Sequence, residues 1–305
     1  MEVQLDQLRI AFDSDSLFAL NCALALVMFG IALDIRVAGF RSLLKSPRAL
    51  CGGVACQFFL LPLLTFLLVL WLQPQPSFAL GMILVDACPG GNVSNFMTHL
   101  AGGNTELSVS LTAIATLVAV VMTPLNLAFW GGQYAPAGQI LQQVHINPME
   151  MVQLVGFLLA LPLLAGMGLR RLRPGLARSL ARYFRGGSLL FFIVLVGIAV
   201  WKDRSVLAQA LGLVFGMVLL HNLLALATGF LTGKALGLRR ADIRTLTLET
   251  GIQNSGLGLL LIFTFFGGMG GMALVAACWG IWHLVSGLLL AGFWSSNPLK
   301  KQRTA

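Results

Sequence analysis

Charge is what this sequence has least of. Asp, Glu, Lys and Arg make up 10% of its 305 residues while 57% are hydrophobic, and mean hydropathy is +0.86; together these exclude an ordinary soluble domain. Catalytic signatures are also missing. There is no HExxH, no nucleophile elbow and no pair of aspartates at a catalytic spacing, which argues against an enzyme. The five cysteines, Cys22, Cys51, Cys56, Cys88 and Cys278, fall within apolar runs without metal-type spacing, so neither a disulfide framework nor a thiolate metal site is implied. The N-terminal stretch MEVQLDQLRIAFDSDS lacks the basic start of a signal peptide and is expected to be retained.

What is present is a series of long apolar runs. Crossing the hydrocarbon takes about 20 helical residues, and at that length the sequence gives nine spans, near 16–33, 48–72, 77–101, 104–130, 148–169, 185–202, 205–234, 240–266 and 271–294. The expectation is an all-α polytopic membrane protein in contact with lipid, a single transmembrane domain over 1–305. Turn-prone or charged stretches divide the spans: QPQPS at 73–77, GGQYAPAG at 131–138 and the Arg-rich 170–185. The net charge of +9 need not mean nucleic acid, because the basic residues sit in short loops. Of the 20 Lys and Arg, 17 lie in 34–48, 170–185, 234–244 and 300–303, all on one side if the spans alternate. The excess of basic residues marks the cytoplasmic side. The N-terminus is therefore expected outside and the C-terminus in the cytoplasm, in a plasma or inner membrane. Trp130, Trp201 and Trp294 fall at span ends, as interfacial anchors do.

Two spans are interrupted. Pro89, Gly90 and Gly91 break the third, followed by Asn92, Ser94 and Asn95; Gly251 and Gly256 bracket Gln253, Asn254 and Ser255 in the eighth. Each interrupted span is followed by one more long span, and paired breaks in corresponding halves point to a transporter built from inverted repeats with a midplane site. Packing kinks are the bland alternative. Where a helix unwinds, free carbonyls suit a cation and free amides suit an anion. Glu249 lies beside the second break, and a carboxylate at that depth costs on the order of 2.5 to 3.5 kcal/mol unless it has a partner or a cavity. It is therefore the expected functional centre, with a protonated Glu bonded to a neighbouring helix as the alternative. Ser94 and Asn95 supply neutral oxygens, and Ser108 and Thr112 share a face one turn apart. Such oxygens with one carboxylate fit a monovalent cation better than a divalent one.

At these residues the sequence resembles the bile acid:sodium symporter family. The matching stretches are CPGGNVSNFMTHLAGGNTELSVSLT (88–112), TLTLETGIQNSG (245–256), LLHN (219–222) and WHLVSG (282–287), with a weaker match at CQFFLLP (56–62). The resemblance implies uptake of an organic anion, bile-acid-like or a small carboxylate, coupled to inward Na⁺ movement by alternating access, on a core domain and a panel domain. It implies one sodium site from Ser94, Asn95, Ser108, Thr112 and Glu249. A second would use Gln57, Gln253 and Glu249 with the backbone carbonyls of Thr250 and Ile252. Substrate would lie near Asn92, Asn254 and His283, although a hydrogen bond between helices is an equal reading of His283. Relative to ten-span bacterial members the chain lacks the first span, so it resembles the nine-span animal members.

Asp86 departs from the family pattern, which has a small apolar residue there. It reads as a neutral buried acid, a partner for a cation or an added proton site. With Glu249 it would form the titrating pair of the rival reading, a proton-coupled organic anion carrier. His221 and Asn222 read as an interhelical hydrogen-bonding pair; His99 and Glu106 read as capping or solvated residues at a cytoplasmic turn.

Overall fold

Prolines and polar caps set most of the helix boundaries. The structure, a computed structural model, describes residues 22, 25–26, 28–30, 32–33, 47–144, 148–181, 183–184 and 204–296. Helix α1 runs Pro47–Leu72 and ends where Gln73 takes a left-handed conformation ahead of Pro74. Pro76 opens α2 (Pro76–Ala87) at a position where its missing N–H has no intrahelical acceptor to lose. Cys88, preceding Pro89, is extended, as the residue before a proline prefers, and α2 stops there. The span resumes as α3 (Val93–Leu100). Asn104 then caps α4 (Thr105–Gln133), its side-chain oxygen accepting from the Leu107 N–H.

Helix α5 (Ala135–Val144) follows after the single residue Tyr134. Helix α6 comprises Pro148–Val155, a wide turn at Gly156–Ala160, and Leu161–Leu172. The second half holds α7 (Arg204–Ala235), α8 (Arg240–Gly251), α9 (Ser255–Phe265) and α10 (Gly270–Ser296). Among the described residues there is no β-strand, only a single bridge between Gly90 and Gln253.

Among the described residues, five helices are long and apolar enough to cross a membrane: Pro47–Leu72, Thr105–Gln133, Met149–Leu172, Gly212–Ala235 and Gly270–Ser296. The two interrupted spans divide as expected, into α2 with α3 and α8 with α9. Of the other expected spans, 185–202 lies outside the described residues and 16–33 does so in large part. Helix extends into two of the expected separators. Helix α4 continues through Gly131 and Gly132 to Gln133, and α5 occupies most of what remains of the supposed turn at 131–138. Residues 174–181 of the Arg-rich stretch are helical too. Gly is common in membrane helices, so a glycine pair does not end one.

The interior is apolar around Trp279, Phe58, Phe78 and Met82, while Phe59, Trp71, Phe157 and Leu289 are exposed on the outside. Within that core sits one polar knot. The Asp86 carboxylate is bonded to the Thr65 hydroxyl and lies 2.7 Å from His221 Nε2, with all three side chains fully buried. The His221 ring also sits edge-on to Trp279 at 4.6 Å. Asn222, next in sequence, donates 2.8 Å to the Gly251 carbonyl and accepts 2.6 Å from Ser286. Both members of the pair therefore make the interhelical bonds expected of them.

Removing one partner of such a buried pair costs about 3 kcal/mol or more, whereas replacing both with apolar groups is far cheaper. His221→Leu is therefore expected to melt well below wild type in detergent, and Asp86→Leu combined with His221→Leu to recover part of that loss. A double variant less stable than the single one would show that the two side chains do not act as a pair.

Candidate functional site

The two breaks meet each other. Gly91 N–H donates 2.7 Å to the Ile252 carbonyl and Asn254 N–H donates 2.9 Å to the Pro89 carbonyl, so the unwound segments form one short antiparallel ladder. This contact answers the backbone groups that unwinding leaves without helical partners. It also explains two glycines. A Cβ on Gly90 would lie 3.0 Å from Glu249 Oε1, and one on Gly91 would lie 3.0 Å from the Gln253 carbonyl oxygen.

Glu249 is buried in the last turn of α8 and accepts hydrogen bonds from three hydroxyls. Ser94 Oγ on α3 donates to Oε2 at 2.7 Å, Ser108 Oγ on α4 donates to the same oxygen at 2.8 Å, and Thr112 Oγ1 is bonded to Oε1. Asn95 Oδ1 stands 3.4 Å from the Thr112 hydroxyl. All five side chains expected at the first cation position are thus brought together, from three helices separated by up to 155 residues. Ser108 and Thr112 fall on one face because they are spaced by four residues, and Thr112 also lies 3.0 Å from the Ser108 carbonyl.

The second group gathers around Gln57 and Gln253. Gln57 Nε2 donates 2.9 Å to Gln253 Oε1 and 2.9 Å to the Cys88 carbonyl, and Gln253 Nε2 returns a 3.2 Å bond to Gln57 Oε1. Of the two expected backbone ligands, the Thr250 carbonyl accepts from Gln253 Nε2 at 2.8 Å. The Ile252 carbonyl accepts from Gly91 N–H in the ladder. A carbonyl has two lone pairs, so each of these oxygens has capacity left. Cys56, one residue before Gln57, places its thiol 3.5 Å from the Thr250 hydroxyl, a contact that its position in an apolar run did not suggest.

The expected substrate residues are less tightly grouped. Asn254 caps α9 by accepting from Leu257 N–H at 3.1 Å. Asn92 occupies the equivalent position before α3 but makes no such side-chain bond. His283 is buried on α10 and its Nδ1 has no partner. Gly280 and Gly287, on either side of it, approach Ser255 and Met97. His283 thus faces the neighbourhood of the crossing without a hydrogen bond to either asparagine.

Asp86 stands apart from the Glu249 cluster, committed to Thr65 and His221. His99 and Glu106 are exposed, as expected of solvated residues, and Glu106 lies in the first turn of α4. Among the described residues no three His, Cys, Asp or Glu side chains come together. The donor set is one carboxylate with neutral oxygens, which suits a weakly charged hard cation and lacks the several carboxylates that a calcium site recruits.

Spans long enough to cross a bilayer, two broken helices paired at their breaks, and an intramembrane carboxylate among hydroxyls define a polytopic membrane protein of the transporter class. Comparison with known sequences narrows that class. A sequence model of the Sodium Bile acid symporter family matches residues 21–210. The uncharacterized sodium-dependent transporter YocS of Bacillus subtilis is 32% identical over 298 residues, which cover 96% of this chain and 89% of that protein. The ileal sodium/bile acid cotransporter of Homo sapiens is 30% identical over 240 residues, 78% of this chain and 67% of its own. The chain belongs to the sodium bile acid symporter family. It is an integral membrane transporter and not an enzyme.

The close approach at Gly90 yields a prediction. A methyl group there presses on Glu249 Oε1, and overpacking a filled site costs about 1 to 3 kcal/mol. Gly90→Ala is expected to keep its expression but to require several-fold more Na⁺ for the same thermal stabilisation, measured by titrating purified protein with NaCl against KCl. An unchanged titration would mean that the ladder tolerates a side chain and does not set the carboxylate's position.

Proposed function

We propose that this protein couples inward Na⁺ movement to uptake of an organic anion, either bile-acid-like or a smaller carboxylate, by alternating access. The observation that carries the proposal is the Glu249 carboxylate, which collects hydroxyls from α3 and α4 at the place where both broken spans unwind. As a Na⁺ enters, Ser94, Ser108 and Thr112 can turn their lone pairs toward it while Glu249 balances its charge. Asn95 adds an amide oxygen on the same side. A second Na⁺ would lie among Gln57, Gln253 and Glu249, with the Thr250 and Ile252 carbonyls as backbone ligands. Glu249 then serves both positions, which accounts for keeping an expensive carboxylate at this depth.

The anion belongs at the start of α3 and α9, beside Asn92 and Asn254, with His283 as a further contact. Helix N-termini carry free amides and a partial positive charge, so they favour a carboxylate or sulfonate. Two paired breaks, each followed by a long helix, support the inverted-repeat architecture with a core domain and a panel domain. The nine spans, the outside N-terminus and the cytoplasmic C-terminus in a plasma or inner membrane complete this reading. Sodium is favoured over a proton as the coupling ion because Asp86, a further buried acid, is hydrogen-bonded to His221 and Thr65 and not to the Glu249 cluster. The relatives, a sodium-dependent transporter and a sodium/bile acid cotransporter, agree with this choice.

Glu249→Gln keeps the volume and removes the charge. It is expected to express and fold while losing Na⁺-driven uptake of cholate, or of the best anion from a thermal-shift screen of carboxylates and sulfonates. Uptake at the wild-type rate in that variant would remove Glu249 from the mechanism.

Coupling must also be reciprocal. Two ligands linked through one conformational equilibrium raise each other's affinity by the same factor, typically about 5- to 150-fold. Calorimetry is expected to show the screened anion binding more tightly in Na⁺ than in K⁺, and Na⁺ binding more tightly by an equal factor at saturating anion. Anion affinity that is flat from zero to saturating Na⁺ would contradict binding-linked coupling.

A further inference from the structure

Further along α4, one turn holds two buried side chains that bond only to backbone or to a neighbouring ring. Thr123 Oγ1 donates 2.6 Å to the carbonyl of Ala87, the last residue of α2 before the break. Asn126 Nδ2 donates 3.1 Å to the carbonyl of Phe58, and its Oδ1 accepts from Trp130 Nε1 at 3.2 Å. The two residues are three apart on one helical face, with Pro124 between them.

Both carbonyls are ones that the fold has deprived of a helical partner. In a regular helix Phe58 would receive the N–H of residue 62, but residue 62 is a proline and has none. The helix absorbs this by widening to a five-residue π turn at Cys56–Leu60, directly before Leu61 and Pro62. The same adjustment recurs at Gly156–Ala160, directly before Leu161 and Pro162, which identifies the Leu-Pro step as its cause. In a regular helix Ala87 would receive the N–H of Gly91, but that donor is spent on Ile252 across the crossing. Thr123 and Asn126 each supply the missing donor.

The consequence falls on Gln57. It sits in the π turn beside Phe58, and a wide turn shifts the facing of the residues around it by roughly 100°, one residue's worth of helical rotation. Its amide reaches the Cys88 carbonyl at 2.9 Å and the Asp86 carbonyl at 3.4 Å, the two residues flanking Ala87. Asn126 therefore fixes the segment that carries Gln57, and Thr123 fixes the segment that Gln57 bonds to. We infer that Thr123 and Asn126 are positioning residues for the Gln57–Gln253 half of the cation site, holding its two walls in register through their freed carbonyls. This rests on the reading of Gln57 and Gln253 as Na⁺ ligands. Neither positioning residue is a ligand itself.

The test uses full-length purified protein in detergent, with NaCl as the probe and KCl as the control. The readout is the Na⁺ concentration giving half-maximal thermal stabilisation, together with the steepness of the titration. Thr123→Val and Asn126→Leu are each expected to raise that concentration about tenfold, the scale of one lost net hydrogen bond, and to flatten the curve. Thr123→Ser restores the hydroxyl and is expected to restore the wild-type titration. Gln57→Ala is expected to weaken Na⁺ comparably. Adding Thr123→Val or Asn126→Leu to Gln57→Ala should then change little, because residues that act through one group are not additive.

If Asn126→Leu does not fold, the contrast between Thr123→Val and Thr123→Ser decides the question. Wild-type titrations in Thr123→Val and Asn126→Leu, or their full effect persisting in the Gln57→Ala background, would overturn the inference while leaving the cation site intact. A Gln57→Ala protein that titrates as wild type would instead overturn the assignment of Gln57, and the positioning role with it.

Discussion

Three hydroxyls converging on the Glu249 carboxylate hold the two broken spans in one arrangement. A carboxylate taken out of water is tolerated only when hydrogen bonds or a counter-charge compensate it. Here the compensation comes from Ser94 on α3 and from Ser108 and Thr112 on α4. The same bonds that satisfy the charge therefore dock the second half of one broken span, and the helix after it, onto the end of α8. The glycines of the first break follow from this. Gly90 and Gly91 leave no room for a side chain between the chains that Glu249 and Gln253 bring together.

The rest of the core solves the problem that unwinding creates. Every turn removed from a membrane helix frees carbonyls and amides that no lipid can satisfy. The crossing answers some with its ladder, Asn254 answers an α9 amide, Asn222 answers the Gly251 carbonyl, and Thr123 and Asn126 answer carbonyls on α2 and α1. Most polar side chains buried near the breaks thus have an assigned backbone partner or meet the carboxylate.

Much of this was legible in the sequence because it depends on local chemistry. Pro89 with two glycines must break a helix, Gly251 beside a polar cluster marks the second break, and a lone Glu249 in an apolar stretch has to be compensated. The features that stayed hidden depend on distant or cooperative contacts. The bond between Asp86 and His221 spans 135 residues and three helices with Thr65, so neither side chain alone declares its partner. The π turn before Pro62 reads in sequence as an unbroken apolar run, although it decides which way Gln57 faces. The stretch at 131–138 reads as a turn from its glycines and Pro136, yet most of it is helical, since a membrane helix can carry such residues when its neighbours satisfy the backbone. What bonds to what across the bundle was not encoded in any window of the chain.

Na⁺ bound where the breaks cross would order both of them through Glu249. Hydrogen–deuterium exchange of the purified protein in Na⁺ and in K⁺ tests it most directly. Exchange is expected to be slower in Na⁺ at 88–95 and 249–256, to change little along α6 or the outer faces of α1 and α7, and to lose the difference in Glu249→Gln. Exchange at the crossing that is the same in both salts, or a Na⁺ effect that survives in Glu249→Gln, would contradict it.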